Sequence, residues 1–256
     1  MRWQRLASER RQAQNFEPRR KGVRPDILLL HYTGMTSADS AVERLICEES
    51  RVSCHYLVDE RGRVVQMVDE RLRAWHAGVS SWAGETDINS RSIGIEIHNP
   101  GHEFGYQDFP APQMRAVVAL CRDIVARHVI QPWRVLGHSD IAPDRKADPG
   151  ERFPWVDLAA AGVGLWVTPC DIGGDRGLGR GDHGGAVGAL QLALWQLGYG
   201  LSVTGVYDRP TEQCVTAFQR HWRPAKVDGR ADVSTIITLE RLLEEIRAVA
   251  RHHGGR

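Results

Sequence analysis

The sequence predicts an α/β domain followed by a smaller helical domain. Short apolar runs that are typical of buried strands alternate with amphipathic segments over roughly the first 160 residues, a Gly-rich stretch follows, and helical periodicity returns after it. The chain has 256 residues, of which 42% are hydrophobic. This is enough to bury one substantial core and a second small one.

The charge pattern gives no sign of nucleic-acid binding. The formal net charge is +1, and basic residues cluster only between Arg10 and Arg24, whereas proteins that bind polyanions usually concentrate them on one face. Because this polar stretch has too little apolar surface to fold alone, we predict that residues 1–22 form a solvated arm.

No segment has the pattern of a secretory signal peptide, and none is long and apolar enough to span a bilayer. The sequence as it stands is therefore expected in the cytoplasm, and a location in the periplasm or cell envelope would require a missing N-terminal signal. The five cysteines are odd in number and contain no Cys-x-x-Cys pair. We therefore expect reduced thiols and no thiolate metal site.

The first elements of the α/β domain are a strand, a helix and a hairpin. The apolar run 26–30 predicts a buried strand that ends at His31, and polar capping residues precede a helical pattern that extends to Ile46. The strand-like runs 53–59 and 64–68 are separated by Gly62, which can supply the positive φ of a hairpin turn.

The sequence of the second half of this domain predicts a strand, a helix and another strand. The run 92–98 alternates, which places Glu96 on the face opposite its isoleucines. The run 112–128 has helical periodicity, and a strand at 133–136 leads to His138. His31 and His138 therefore both lie at strand ends, where ligand sites gather in α/β domains.

The composition changes sharply between Ala161 and Gly185, where glycines dominate, and we predict a linker at residues 166–181. Beyond it a repeat occurs: the segment 205–211 is echoed by 229–235, and an apolar periodic segment follows each copy. In each copy an aspartate, Asp208 or Asp232, can cap the following helix by accepting the N–H of the threonine three residues later.

Three residues of the first domain are candidate metal ligands: His31, His138 and Asp148. Two imidazoles and a carboxylate suit zinc, and three protein ligands leave a fourth position for water, as a catalytic site requires. Spacing alone leaves a structural role open for each histidine, because the chain has eleven histidines and most such residues are structural.

Six separated motifs of the first domain occur in a specific order. They are residues 30–34, 52–58, 74–78, 92–97, 137–143 and 145–150. In order and in register over most of residues 23–158, they resemble the type 2 family of N-acetylmuramoyl-L-alanine amidases, which includes T7-type phage lysozymes and animal peptidoglycan recognition proteins. The resemblance implies that residues 23–165 form a mixed central β-sheet flanked by helices.

The resemblance also implies an activity: hydrolysis of the amide between the lactyl group of N-acetylmuramic acid and L-alanine of the stem peptide, in peptidoglycan or anhydromuropeptides. It assigns one zinc ion per chain to His31, His138 and Asp148. Glu96 becomes the catalytic carboxylate, which takes a proton from water and returns it to the departing amine. Lys146 becomes the second catalytic group, which stabilises charge on the former carbonyl oxygen.

Further residues of the motifs have less defined roles. Trp75 and Arg145 are candidate substrate contacts, although each could equally pack or pair locally. His55 and His76 are expected to orient neighbouring groups or to be structural, and the resemblance does not make them ligands. Structural roles are also expected for three other histidines: His98, His102 and His128.

Residues 182–250 resemble the three-helix peptidoglycan-binding domain found beside many cell-wall hydrolases. The pattern indicates the fold more strongly than binding, because its apolar positions form the core of any small bundle. Peptidoglycan or a muropeptide is the expected partner, and a tethered domain would raise the effective substrate concentration. Two alternatives stay open: a non-catalytic peptidoglycan sensor, and an amidase that acts on small soluble muropeptides rather than on intact wall.

Overall fold

The computed structural model describes residues 4–254, within which there are eight β-strands and nine α-helices. The strands are β1 (Glu9–Arg10), β2 (Phe16–Pro18), β3 (Ile27–Tyr32), β4 (Tyr56–Val58), β5 (Val64–Gln66), β6 (Leu72–Ala74), β7 (Ser92–Ile97) and β8 (Val135–Gly137). The helices are α1 (Ala38–Ile46), α2 (Ile88–Arg91), α3 (Gly101–Phe104), α4 (Ala111–His128), α5 (His138–Ile141), α6 (Trp155–Ala160), α7 (Gly185–Leu197), α8 (Arg209–Trp222) and α9 (Val233–Gly254).

The chain divides into two compact units. The first contains the chain up to Ser80 together with Asp87–His138 and Asp148–Gly164. The second contains Ser81–Thr86, Ser139–Ala147 and the chain from Leu165 onward. Two short segments from within the region predicted as one α/β domain therefore belong to the helical unit.

The first unit is built on a six-stranded sheet with the order β1-β5-β4-β7-β3-β8. All neighbouring pairs are parallel except β4 and β5, which form the predicted hairpin. Gly62 in its turn has a φ of 86°. Strand β3 is buried along nearly its whole length, as its continuous apolar run predicts. The predicted mixed sheet flanked by helices is thus confirmed.

The predicted helices of this unit are also present. Helix α1 begins after Ser37, whose hydroxyl accepts a hydrogen bond from the backbone N–H of Ser40 at 3.2 Å. Helix α4 buries the apolar positions of its period, including Val117 and Ile124, and packs against β3 and β4. The strand predicted at 133–136 begins only at Val135, because Pro132–Arg134 forms a 3-10 turn.

The N-terminal segment is not a solvated arm, so that prediction is wrong for residues 9–18. Strand β1 pairs in parallel with β5, and β2 pairs antiparallel with β6 in a second, two-stranded sheet. Between them, Ala13 is fully buried and Asn15 donates hydrogen bonds to the carbonyls of Cys47 and Val52. The charged composition is compatible with this position because Arg63 pairs with Glu9 at the sheet edge.

The second unit contains the predicted three-helix bundle, α7, α8 and α9. The two copies of the sequence repeat in this unit each contain a buried glutamine whose side-chain amide makes equivalent hydrogen bonds. Gln191 accepts hydrogen bonds from the backbone of Thr204 and Gly205, and Gln219 does so from Asp228 and Gly229. Each glutamine is fully buried and also donates to a backbone carbonyl of the same loop. The amides therefore satisfy turn groups that would otherwise be buried without partners.

Both predicted aspartate caps are present in this unit. Asp208 accepts from the backbone N–H of Thr211 at 3.0 Å, and Asp232 accepts from that of Thr235 at 2.8 Å. Part of the predicted linker is ordered against the bundle, where Leu178 and Ala231 exchange backbone hydrogen bonds of 2.9 Å. Across residues 4–254, no helix combines the length and apolar character needed to cross a membrane.

Candidate metal centre

Strand register brings the key side chains together in the first unit. Leu30 of β3 lies opposite Gly137 of β8, so His31 and His138 follow at adjacent positions on neighbouring parallel strands. On the other side of β3, His31 lies opposite Glu96 of β7. Because residues in register across a ladder point to the same face, Glu96 lies beside His31. The three residues thus line the carboxyl ends of three adjacent strands.

His31, His138 and Asp148 form a buried cluster that could hold a metal ion. The two Nδ1 atoms are 2.9 Å apart, and Oδ2 of Asp148 lies 3.1 Å from Nδ1 of His31 and 3.0 Å from Nδ1 of His138. Ligand atoms of a tetrahedral zinc site with bonds of about 2.0–2.1 Å are about 3.3 Å apart. The spacing of the three atoms is therefore close to that of a zinc site.

Hydrogen bonding indicates which ring nitrogen of His138 carries the proton and which presents a lone pair to the cluster. Its Nε2 lies 3.1 Å from the carbonyl oxygen of Ala77, and a carbonyl only accepts, so Nε2 carries the proton. In the neutral imidazole, Nδ1 is then unprotonated. The Ala77 carbonyl is itself held in place, because Asn89 Oδ1 accepts from the backbone N–H groups of His76 and Ala77.

A chain of hydrogen bonds makes the same assignment for His31. The hydroxyl of Ser92 donates to the carbonyl of Ile88 at 2.7 Å, so it accepts from Nε2 of His76 at 3.3 Å. Nδ1 of His76 is therefore unprotonated and accepts from Nε2 of His31 at 3.0 Å. In its neutral form, His31 then also presents a lone pair on Nδ1 to the cluster. We call Ser92, His76 and their hydrogen bonds to His31 the His76 relay.

The protonation of the relay agrees with its burial. Burial, followed by the neighbouring His31 and His55 rings, lowers the pKa of His76 well below its usual value, so the ring is neutral. The ring lies over Gly94, where a Cβ atom would come within 2.5 Å of Nδ1 of His76. Any side chain at position 94 would therefore displace the ring. The hydrogen bond between His76 and His31 is compatible with the expected orienting role, and no sequence pattern indicates the part that Ser92 plays.

Asp148 completes the donor set as a carboxylate. Two imidazole lone pairs and a carboxylate oxygen thus converge within 3.1 Å of one another. Such groups repel one another unless a cation lies among them, so the chemistry of the donor set fits a divalent metal ion.

The other predicted site residues have different positions. Trp75 is half-buried, and the guanidinium of Arg51 lies 5.8 Å from its ring centroid, an arrangement that covers the indole locally. Arg145 and Lys146 belong to the second unit, in the segment Ser139–Ala147. Their backbone N–H groups both donate to the carbonyl of Ala142 in a tight turn. The proposed roles of these three residues stay predictions.

The histidines expected to be structural have local partners. His98 Nδ1 lies 3.1 Å from the hydroxyl of Thr33. His102 contacts Tyr32 and Glu151, and His128 contacts Glu70 at 2.8 Å. His55 accepts from the backbone N–H of Gly94 at 3.0 Å, and burial together with Arg19 lowers its pKa to about 3. It therefore supports the strand beside the relay as a neutral ring.

A mostly parallel sheet with a His–His–Asp cluster at the carboxyl ends of its strands defines an α/β domain with a candidate metal site. The chain belongs to the N-acetylmuramoyl-L-alanine amidase family, whose sequence model matches residues 21–151. Residues 183–239 match a second model, described as a putative peptidoglycan binding domain. The predicted family and the predicted second domain are both confirmed.

Several characterised relatives resemble the chain over most of its length. N-acetylmuramoyl-L-alanine amidase AmiD of Escherichia coli is 38% identical over 249 residues, which covers 92% of this chain and 87% of the relative. The structure of AmiD in complex with its substrate anhydro-N-acetylmuramic acid-L-Ala-D-gamma-Glu-L-Lys superposes with a TM-score of 0.74, at 36% identity over 92% of this chain and 93% of that one. The structure of Pseudomonas aeruginosa AmpDh3 in complex with anhydromuramic pentapeptide gives 0.73, at 32% identity, and covers 88% of this chain and 93% of that one.

Proposed function

We propose that the protein is a zinc-dependent N-acetylmuramoyl-L-alanine amidase. It hydrolyses the amide between the lactyl group of N-acetylmuramic acid and L-alanine of the stem peptide, in peptidoglycan or in anhydromuropeptides. The observation that carries the proposal is the His31–His138–Asp148 cluster with Glu96 beside it on the next strand. The solved complexes of two relatives with anhydromuramic peptides support the substrate class.

The proposed metal is zinc because the donor set consists of two imidazoles and one carboxylate. This set is common in catalytic zinc sites, where three protein ligands leave a position open. Bound zinc would lower the pKa of a coordinated water to about 7 and polarise the scissile carbonyl. The His76 relay and the Ala77 carbonyl would keep both imidazoles in the tautomer that presents Nδ1 to the ion.

Glu96 is the proposed general base and acid. Its position opposite His31 in the ladder directs the carboxylate toward the face on which the cluster lies. There it would accept a proton from the attacking water and return it to the amine of L-alanine as the C–N bond breaks. Lys146 is proposed to stabilise the negative charge that develops on the former carbonyl oxygen. Trp75 and Arg145 remain proposed contacts to the substrate.

The second unit is proposed to bind peptidoglycan. Support comes from the match of residues 183–239 to the peptidoglycan binding domain. The core of the bundle is explained by folding alone, since Leu190, Leu194 and Phe218 are buried in it. Binding of polymer would concentrate the catalytic unit on its substrate.

The test compares the wild-type protein with Glu96→Gln on a soluble anhydromuropeptide and on intact sacculi. Wild-type protein should contain one zinc and release peptides with a free L-alanine amino terminus. Glu96→Gln should keep its zinc and lose about 10²–10⁴-fold in kcat, the usual contribution of a general base. Glu60→Gln, in the exposed hairpin turn, is the matched control and should behave as wild type.

Each other outcome contradicts a specific part of the proposal. Zinc-loaded wild-type protein that binds both substrates without cleaving either would favour the non-catalytic sensor. Loss of zinc from Glu96→Gln would mean that Glu96 is a ligand rather than the base. Cleavage at a bond other than the lactyl–alanine amide would exclude this reaction.

A further inference from the structure

The segment between two of the proposed ligands is anchored in the helical unit. His138 and Asp148 belong to the first unit, whereas the intervening residues, Ser139–Ala147, are part of the second. This segment carries Arg145 and Lys146. The position of the predicted catalytic lysine therefore depends on the contacts that Ser139–Ala147 makes inside the helical unit.

The main anchor is Asp140, which is fully buried. Its Oδ1 accepts a hydrogen bond from the hydroxyl of Tyr199 at 3.0 Å, and its Oδ2 accepts one from Nδ1 of His221 at 2.7 Å. Burial and the adjacent carboxylate raise the pKa of Tyr199 well above its usual value, so its hydroxyl keeps the proton that it donates. We call Asp140, Tyr199 and His221 the Asp140 clamp.

The clamp joins different parts of the helical unit through buried hydrogen bonds. Tyr199 follows α7, and His221 lies near the end of α8, where its ring stacks on Trp222 at a centroid distance of 3.6 Å. Tyr199 and His221 are 1% and 3% exposed. Since a buried carboxyl group without hydrogen-bond partners is strongly unfavourable, Asp140 remains tied to Tyr199 and to α8.

The segment Ser81–Thr86 reinforces this anchor. The backbone N–H of Ser81 donates to the carbonyl of Ile141 at 2.9 Å, and that of Ala83 donates to the carbonyl of Gly198 at 2.7 Å. Trp82 is buried against Tyr199, with ring centroids 5.1 Å apart. A Cβ at position 198 would come within 2.5 Å of the Trp82 ring, so glycine is needed for this close approach.

We propose that the helical unit positions the segment Ser139–Ala147, which carries Lys146. Tyr199 and His221 act through Asp140 as positioning residues. The inference rests on the proposed amidase function and goes beyond tethering, because it predicts an effect on turnover of a small substrate that needs no tether. A displacement of a catalytic group by about 1 Å can reduce a rate about 10²-fold, so small movements of Ser139–Ala147 are sufficient.

The test uses the full-length zinc-loaded protein and a soluble anhydromuropeptide. Tyr199→Phe removes one clamp bond, and Tyr199→Phe combined with His221→Leu removes both. Tyr207→Phe is the matched control: Tyr207 is 1% exposed in the same unit, and its hydroxyl donates to the carbonyl of Gly229 at 2.7 Å. Combining Tyr199→Phe with His221→Asn tests for rescue, because the asparagine amide can donate from nearly the position of Nδ1.

We expect kcat to fall by at least about tenfold in the double variant with His221→Leu, with a smaller change in KM, since the lysine is proposed to act in the transition state. Backbone amides of residues 139–147 should exchange hydrogen faster than in wild type. Tyr199→Phe should show a smaller effect in the same direction, the His221→Asn combination should recover part of the rate, and Tyr207→Phe should leave kcat and exchange at 139–147 unchanged.

Two results would overturn the proposed positioning role of the clamp. One is unchanged kcat and unchanged hydrogen exchange in both Tyr199→Phe and its combination with His221→Leu. The other is an equal loss of kcat in Tyr207→Phe when the variants have the same thermal stability. If the wild-type protein cleaves neither substrate, the proposed function fails. The exchange comparison at residues 139–147 then still decides whether the helical unit holds this segment.

Discussion

Replacing Gly94 with alanine tests the His76 relay with a single methyl group. Gly94 lies in β7 without a positive φ, so the backbone accepts alanine. The new Cβ would lie 2.5 Å from Nδ1 and 2.6 Å from Cε1 of His76. An ordinary contact is at least about 3.4 Å, so the buried ring must move by about 1 Å. Its 3.0 Å hydrogen bond with Nε2 of His31 then breaks.

Two effects of known size follow from that movement. Loss of the group that orients a ligand histidine typically lowers metal affinity about 10–100-fold, which corresponds to about 1.4–2.7 kcal/mol. Overpacking a well-packed interior costs about 1–3 kcal/mol of stability. We therefore expect Gly94→Ala to weaken zinc binding in a chelator competition assay and to lower the free energy of unfolding in denaturant titrations of the metal-free protein.

A double-mutant cycle with His76→Ala provides the control. His76→Ala alone should weaken zinc binding to a similar extent, and adding Gly94→Ala to it should cost little further stability, because the clashing ring is gone. If Gly94→Ala binds zinc as wild type does, the relay does not orient His31. A stability penalty that persists in the His76→Ala background would show that the methyl group clashes elsewhere.

Three further predictions concern other parts of the molecule. Burial and Arg19 lower the pKa of His55 from 6.5 to about 3, so between these pH values the unfolded chain binds a proton that the folded chain does not. The free energy of unfolding should therefore fall with decreasing pH, by up to about 1.4 kcal/mol per pH unit from this group. In denaturant titrations from pH 7 to 4, His55→Gln should show a weaker dependence of the free energy of unfolding on pH. Gln219→Ala should cost at least about 2 kcal/mol, because two loop N–H groups lose their acceptor, whereas exposed Gln196→Ala should stay within about 0.5 kcal/mol in the same thermal melts. Asp148→Asn should abolish stoichiometric zinc binding after dialysis, and a variant that retains one zinc by elemental analysis would remove Asp148 from the ligand set.

Much of the first unit could be predicted because its signals are local. Continuous apolar runs mark strands that are buried on both faces, and helical spacing marks α1 and α4. The register that aligns His31, His138 and Glu96 follows from parallel pairing of the strands that precede them. The sequence therefore predicts His31 and His138 at strand ends and the face on which Glu96 lies, whereas the register that puts Glu96 opposite His31 comes from the structure.

The features that could not be predicted depend on contacts between distant residues. Strand β1 has two charged residues, and only its pairing with β5, more than fifty residues later, makes it a strand. The assignment of Ser139–Ala147 to the helical unit depends on Asp140 meeting His221, which no local pattern indicates. Ser92 in the His76 relay likewise acts through hydrogen bonds to groups outside its own strand.

The two halves of the helical repeat are unequal in length. The stretch from the buried glutamine to the loop that it holds is four residues longer in the first copy than in the second. Gly198 and Tyr199 lie within that longer stretch. The longer first copy therefore supplies both the glycine that lies against the Trp82 ring and the hydroxyl that donates to Asp140, so these two contacts depend on the length of a single loop.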